Sequence, residues 1–196
     1  MQPSQFNLLI PQGTNWALTL QLTEGPGFRT TGASAGATKI PLSAPLPTAL
    51  SSGDRVNFDG AIATLTAAAA VGAKSLTVPA LPFELGRVQG RKVLDVTGFS
   101  TTARIYADLD EAAIATFAVD LTTAPSDGRP ILKLTKAETS ALASTVEPGL
   151  FLTEAELQAV KEQGPHYLWQ FDLTDTTANT LRLVEGFVLV SRQGAA

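Results

Sequence analysis

The chain has 196 residues, no cysteine, one histidine and a formal net charge of −4. The lack of cysteine excludes disulfides, thiolate metal sites and cysteine nucleophiles, and one histidine cannot form a histidine cluster around a metal. The 14 basic and 18 acidic residues are mixed along the sequence, so no basic face is predicted and we expect no nucleic-acid partner.

No membrane segment is predicted either. The longest uncharged apolar-leaning run, 60–72, is too short to cross a bilayer about 30 Å thick as a helix. Residues 1–13 lack the positively charged and long apolar regions of a secretory signal. Charged residues make up 16% of the chain, below the ~25% of typical soluble domains. This fits a protein much of whose surface is covered by neighbours, and β proteins with short turns show the same composition.

The first predicted element is a half-buried strand over 15–22, NWALTLQL, in which apolar and polar residues alternate. It is predicted to end at the breaker cluster Glu24-Gly-Pro-Gly27, and residues 30–36 look like a small-residue linker. We therefore place a domain boundary between residues 35 and 36.

A weak internal repeat follows. Segments starting at Gly36 and Gly72 each open Gly-Ala and pass a Leu-Pro step, at Leu46 and Leu81. Each then reaches a glycine predicted to form a turn, Gly53 or Gly90, before a hydrophobic strand. The spacing of about 36 residues is that of one supersecondary unit. Residues 36–93 are thus predicted to form a small inserted β domain with internal pseudo-symmetry.

The remaining residues, 94–196, predict longer strands and two short helices. Strands are expected over 100–108, 113–121, 131–134, 166–174 and 180–190. Helices are expected after the capping boxes Thr135-Lys-Ala-Glu138 and Thr153-Glu-Ala-Glu156, the second ending at Gly164-Pro165. The predicted fold is mainly β: an antiparallel β-sandwich formed by 1–35 and 94–196, with the domain 36–93 inserted.

Four features could carry chemistry, and each has a simpler structural interpretation. His166 follows Gly164-Pro165 at a strand start and has no local nucleophile, so it reads as a turn residue rather than a catalytic base. Asp108, Asp110 and Glu111 could ligate calcium but lack the EF-hand pattern, and a solvated hairpin turn is favoured.

The glycine-rich stretches 25–27 and 32–36 lack the lysine and strand-to-helix setting of a phosphate-binding loop and read as linkers. The alternating aromatics Tyr167, Trp169 and Phe171 could stack sugars or bases, yet Leu173 continues the same face, which favours a core. We predict no catalytic, cofactor-binding or metal-binding residue, no cofactor and no enzymatic activity.

Four motifs carry a resemblance to a known family: Asp95-Val-Thr-Gly98 before a central strand, Leu134-Thr-x-x-Glu138-Thr, YLWQFDLTD, and Leu183-Val-Glu-Gly186. In this order they resemble the N-terminal β-sandwich domain of upper baseplate proteins, a group of tailed-phage structural proteins. The insertion 36–93 resembles small β units of other phage virion proteins. The helix at 154–163 departs from the family pattern, where a short turn is usual.

The resemblance implies a non-enzymatic structural role in a bacteriophage virion, as a tail, baseplate, neck or fibre-attachment protein. Its implied partners are other virion proteins and copies of itself in a symmetric ring. Contacts are expected on the insertion and on helix 154–163, because insertions on exposed loops commonly carry partner contacts. Two alternatives stay open: a capsid decoration protein, and a carbohydrate-binding or adhesin module that would expose Tyr167, Trp169 or Trp16.

Overall fold

The computed structural model describes residues 4–108, 110–121, 125–143 and 167–191. The predicted helix 154–163 and His166 lie outside the described residues. In chain order the strands are β1 (Ser4–Gln5), β2 (Leu8–Pro11), β3 (Trp16–Thr19), β4 (Thr23–Arg29), β5 (Lys39–Pro41), β6 (Arg55–Phe58), β7 (Ala61–Thr64), β8 (Ser75–Thr77), β9 (Gln89–Val93), β10 (Ser100–Tyr106), β11 (Ala115–Thr116), β12 (Ala118–Asp120), β13 (Ile131–Leu134), β14 (Tyr167–Thr174) and β15 (Thr180–Ser191). One α-helix, α1 (Lys136–Ala141), and a 3-10 turn at Pro125–Asp127 complete the described elements.

The prediction of a mainly β, sandwich-type fold is confirmed, and the chain divides into two compact units. Unit 1 contains the described residues of 1–19, 98–121 and 131–196. Unit 2 contains those of 20–97 and 122–130. The predicted insertion covered 36–93, so the compact unit begins earlier in the chain and also takes in a later segment.

Unit 1 contains two sheets. The larger has the strand order β1-β15-β14-β10-β11, with β2 also paired to β15, and the smaller has the order β12-β13-β3. The predicted strand 113–121 is divided between them: β11 pairs with β10, whereas β12 pairs with β13. Phe117, between β11 and β12, is 3% exposed, so the chain changes sheets at a buried aromatic residue.

The interior of unit 1 is built around the strand that the sequence marks as aromatic. Trp169 and Phe171 of β14 are fully buried. The Phe117 ring lies 5.7 Å from the Trp16 ring of the small sheet and 6.1 Å from the Trp169 ring of the large sheet. The sequence offers two pairs in the last strand as partners of this face, Leu181 with Leu183 and Val188 with Val190. Val188 and Val190 are buried. Leu181 lies opposite Leu173 in the β14–β15 register but is 40% exposed.

Gly186 of β15 lets the N-terminal segment between β1 and β2 lie directly against the β15 backbone. A Cβ atom at Gly186 would lie 2.1 Å from the Phe6 carbonyl oxygen, so only glycine allows the approach. The same oxygen accepts the indole N–H of Trp169 over 2.7 Å. Because Gly186 has no side chain, the Phe6 carbonyl can reach the buried Trp169 indole and accept its N–H.

Helix α1 begins with the predicted capping box. The Thr135 hydroxyl accepts the amide of Glu138, and the Glu138 carboxylate accepts the amide of Thr135 over 2.6 Å. The buried Thr139 donates its hydroxyl to the Thr14 carbonyl over 2.7 Å. Because the helix has only six residues, these caps and anchors are needed to hold it.

Unit 2 contains a four-stranded sheet of order β4-β9-β6-β7 and the two-stranded pair β5-β8. The β6–β7 hairpin turns at Asp59 and Gly60, both with positive φ, as the Asp-Gly pair predicts. The later segment is joined by backbone hydrogen bonds, including Leu22 N to Gly128 O over 2.7 Å. A Cβ at Gly128 would lie 2.5 Å from the Leu94 carbonyl oxygen, so glycine is required for this contact.

Two sequence interpretations in this region are wrong. Glu24-Gly-Pro-Gly27 does not end a strand; it lies inside β4, where an irregularity between Glu24 and Phe28 absorbs the extra residues. Gly90 is not a turn glycine, because it lies in β9 opposite Phe28. A Cβ at Gly90 would lie 2.5 Å from the Phe28 ring, so packing is the reason for this glycine.

The two copies of the repeat pair with each other through equivalent backbone groups. Ile40 of β5 lies opposite Leu76 of β8, the matching position in the second copy. The equivalent hydrogen bonds, first copy then second, are Gly36 N to Leu81 O (2.8 Å) and Gly72 N to Leu46 O (2.9 Å), Leu42 N to Lys74 O (2.9 Å) and Val78 N to Thr38 O (3.0 Å), and Leu46 N to Ala73 O (2.9 Å) and Leu81 N to Ala37 O (3.0 Å). The backbone of this region therefore has pseudo-twofold symmetry.

The equivalence extends beyond the stretch where the sequence shows it. The isolated bridges Ala33–Leu85 and Ala69–Leu50 are related in the same way. In the four-stranded sheet the outer strands β4 and β7 correspond, as do the inner strands β9 and β6. We call residues 23–58 the first half of unit 2 and residues 61–93 the second half.

Candidate functional site

The aromatic residues that could have formed a stacking platform are packed and hydrogen-bonded within unit 1. Trp169 is fully buried and its indole N–H is bonded to the Phe6 carbonyl. Tyr167 and Trp16 are half-buried. The Tyr167 hydroxyl accepts the Ala143 amide over 3.0 Å, and the Trp16 indole donates to the Leu9 carbonyl over 3.1 Å. These contacts are those of structural residues.

The acidic stretch after β10 has the contacts of an exposed turn. Asp108, Asp110 and Glu111 are all exposed. The Asp110 amide donates to the Asp108 carboxylate over 3.3 Å, and the Glu111 amide donates to the Asp108 carbonyl over 3.1 Å. Among the residues the structure describes, no group of three histidine, cysteine, aspartate or glutamate side chains is arranged to hold a metal ion.

Of the glycine-rich stretches, 25–27 belongs to β4, and 32–36 belongs to the loop that follows. Gly25, Gly32 and Gly36 have φ angles of 70°, 105° and 82°, which glycine adopts without steric cost. A Cβ at Gly32 would lie 3.2 Å from the Leu85 carbonyl oxygen. The glycines thus shape the chain in unit 2, and the linker interpretation of 25–27 is wrong.

A charged cluster in unit 2 was not predicted from the sequence. The Lys92 ammonium lies 2.9 Å from a Glu24 carboxylate oxygen and 3.3 Å from an Asp54 carboxylate oxygen. The hydrogen bond to Glu24, together with the charges of both carboxylates, raises the pKa of Lys92 above its ordinary value despite partial desolvation. No sequence signal could have joined these residues, because they come from different parts of the chain.

A cavity of about 260 Å³ adjoins this cluster. Its floor is formed by the buried side chains of Phe28 and Leu50, and Lys92 stands at its rim with Glu24. The complete lining is Glu24, Gly25, Pro26, Phe28, Thr48, Ala49, Leu50 and Lys92. The cavity is therefore apolar at its base and charged at its edge, and it is large enough for a small apolar group.

A second cavity of unit 2 is polar and of similar size, about 230 Å³. It is lined by Gln21, Thr23, Asn57, Asp59, Gln89 and Arg91. The Asn57 carboxamide is committed to the hairpin, because it accepts the Gly60 amide over 2.7 Å. Neither of these two cavities, both lined by described residues, places a nucleophile beside a general base.

Comparison with known proteins assigns no identity to the chain: no family model matches it, and no curated protein matches it. Among the described residues, no helix has the length and apolar character needed to span a membrane. The insertion on which partner contacts were predicted is described in full.

Proposed function

We propose that the chain is a non-enzymatic structural component of a bacteriophage virion, belonging to the tail, baseplate, neck or fibre-attachment region. The observation that supports this most is the order of the four motifs within one fold. Asp95–Gly98 directly precedes β10, Leu134–Thr139 covers the entry into α1, and the last two motifs lie in β14 and β15. A β-sandwich with this succession of elements is what the family resemblance implies.

The architecture also suits a protein that works by contact. Edge β2 of the large sheet is closed against strand addition: Pro11 has no amide hydrogen, and its carbonyl accepts the Thr14 hydroxyl over 3.0 Å. The Leu9 carbonyl is occupied by the Trp16 indole. An edge blocked in this way resists unspecific pairing, which favours assembly through defined surfaces.

Unit 2 supplies candidate surfaces of that kind. Val71, at the turn before Gly72, is 66% exposed, the highest value among the exposed large apolar side chains of the described residues. The 260 Å³ cavity lies in the same unit. We propose that other virion proteins, and copies of the chain in a symmetric ring, contact unit 2.

The test is localisation in a purified particle. We expect mass spectrometry of particles from the phage that encodes the chain to detect it, and cryo-electron microscopy to place its two units in a ring of the tail or baseplate. Density on the capsid surface would instead support the decoration alternative. Absence of the chain from intact particles would contradict the proposal.

The adhesin alternative makes a different prediction. It requires an accessible aromatic platform, but Trp169 is buried and Trp16 packs on Phe117. We expect tryptophan emission to be unchanged by added glycans. A saturable emission shift with a defined glycan would favour the adhesin function over the assembly function.

A further inference from the structure

The apolar-floored cavity of unit 2 lies at a position where the two halves differ. Leu46-Pro47-Thr48-Ala49-Leu50 corresponds to Leu81-Pro82-Phe83-Glu84-Leu85. The backbone equivalence is direct, since Leu50 bridges to Ala69 just as Leu85 bridges to Ala33. Thr48 therefore occupies the position that Phe83 has in the second half.

Phe83 shows what an aromatic side chain does at this position. It is partly buried and packs against the hydrophobic core of unit 2. In the first half the equivalent residue, Thr48, is too small to pack in this way, and the 260 Å³ cavity lies beside it. A cavity of about 150 Å³ lined by apolar groups is enough to bind benzene, so there is room for one aromatic ring.

The chemistry of the lining favours a neutral aromatic ring. Phe28 in the floor already makes an edge-to-face contact with Phe58, with ring centroids 6.3 Å apart, and a further ring can pack on it in the same way. The Lys92 ammonium at the rim can lie against the ring of a guest. Because Glu24 and Asp54 give the rim an excess negative charge, an acidic guest is disfavoured.

We infer that this cavity receives one aromatic side chain from a partner protein in the assembly, which completes the first half as Phe83 completes the second. The inference rests on the proposed virion function for the identity of the partner, but not for the pocket itself. Gly25 keeps the entrance open, because it has no side chain and its φ of 70° disfavours any replacement.

The first arm of the test uses the full chain and a probe, N-acetylphenylalaninamide, observed by NMR. We expect shifts of the Gly25, Leu50 and Lys92 amides and ring-to-methyl contacts with Leu50. Thr48→Phe should weaken binding at least tenfold by filling the cavity, whereas the control Thr48→Ser should bind as the wild type does. The acidic probe N-acetylaspartic acid α-amide, which keeps its side-chain carboxylate, should bind more weakly than the aromatic probe. Unfolding of Thr48→Phe at no lower denaturant concentration than wild type shows that its fold is intact.

No shifts with the aromatic probe, or shifts that persist in Thr48→Phe, would overturn the inference. The second arm places Thr48→Phe and Thr48→Ser in the phage. Incorporation of Thr48→Ser but not Thr48→Phe supports the inference, and equal incorporation overturns it while leaving the virion function standing. If the wild-type chain is absent from particles, the proposed function fails, whether or not the probe binds, and the partner assignment fails with it.

Discussion

The two halves of unit 2 have equivalent backbone hydrogen bonds but distribute their bulky side chains in opposite ways. Phe28 of the first half faces Gly90 of the second half across β4 and β9, whereas in the equivalent pair Ala63 of the second half faces Val56 of the first half across β7 and β6. All four residues are buried. The larger side chain of the pair is on the outer strand in Phe28–Gly90 and on the inner strand in Ala63–Val56. Because protein cores are close-packed, the combined side-chain volume of each pair is what must fit.

A pseudo-symmetric core must keep its side chains similar in size where its two copies meet. The matched positions Ile40 and Leu76 are both fully buried, because they meet where the two copies pair. Away from that contact, volume can be exchanged between neighbours as long as the pair fills the same space. The loop position at Thr48 and Phe83 is where the exchange leaves a cavity open.

The largest expected effect comes from breaking the Phe28–Gly90 pair. We expect Phe28→Ala to destabilise unit 2 by about 3–5 kcal/mol, since it empties a buried aromatic site. Gly90→Val alone should cost at least about 1–3 kcal/mol by overpacking against Phe28. The double variant recreates the Ala63–Val56 combination at the equivalent pair, and its cost should be clearly less than the sum of the two single-variant costs.

The measurement needs a probe within unit 2, because both tryptophans belong to unit 1. Hydrogen exchange of the β5 and β8 amides in increasing urea reports its opening free energy. If the costs of the two substitutions simply added in the double variant, the volume gained at position 90 would not compensate for the volume lost at position 28, and the prediction would be wrong.

The second prediction concerns Leu46 and Leu81, equivalent residues that are 1% and 4% exposed. Each Leu→Ala replacement should cost about 2–4 kcal/mol, with similar values because the surroundings are related by the pseudo-twofold axis. The comparison is made by the same exchange experiment. A difference above about 2 kcal/mol would show that the cavity beside Thr48 lets the first half relax around the lost side chain.

A smaller effect is expected at the two glycines that open the repeats. Gly36 and Gly72 have φ angles of 82° and 86°, and a Cβ at either would meet no atom within 4 Å. Gly→Ala should therefore cost about 1 kcal/mol at each, from backbone strain alone. Gly86 is the matched control, because its Cβ position is also open but its φ is not positive. Alanine there should be neutral or stabilise by about 0.4–1 kcal/mol.

The repeat is the part of this fold that the sequence predicts best. Matching Gly-Ala and Leu-Pro steps fall at positions with equal backbone roles, so local residue choice reflects the symmetry directly. The capping box at Thr135 and the aromatic strand β14 are predicted for the same reason: each is a short pattern with one structural solution.

Features that depend on distant contacts could not be predicted. Gly90 resembles a turn glycine in the sequence and is required only because Phe28 lies across from it. The strand over Thr23–Arg29 runs through a Gly-Pro-Gly sequence that is typical of a turn. The cavity and its charged rim depend on Glu24 and Lys92 meeting on adjacent strands. The candidate site is thus a product of tertiary pairing, and no local motif marks it.

The smallest expected effect tests the charged rim, which belongs to β4, β9 and the turn before β6. Because the pKa of Lys92 is raised in the folded chain, the ammonium stabilises unit 2 below the unfolded pKa of about 10.4, and this stability is lost as the pH rises through the folded value. The Lys92 side chain is 34% exposed, so solvent screening should limit the contribution to about 0.2–1 kcal/mol.

We therefore expect wild type to lose slightly more stability above pH 10.4 than Lys92→Met, measured by amide exchange or urea unfolding across that range. Lys74→Met is the control, since Lys74 is exposed and makes no ion pair among the described residues; its alkaline profile should follow the wild type. If Lys92→Met also followed the wild type, the rim would contribute charge to the cavity entrance without stabilising the fold.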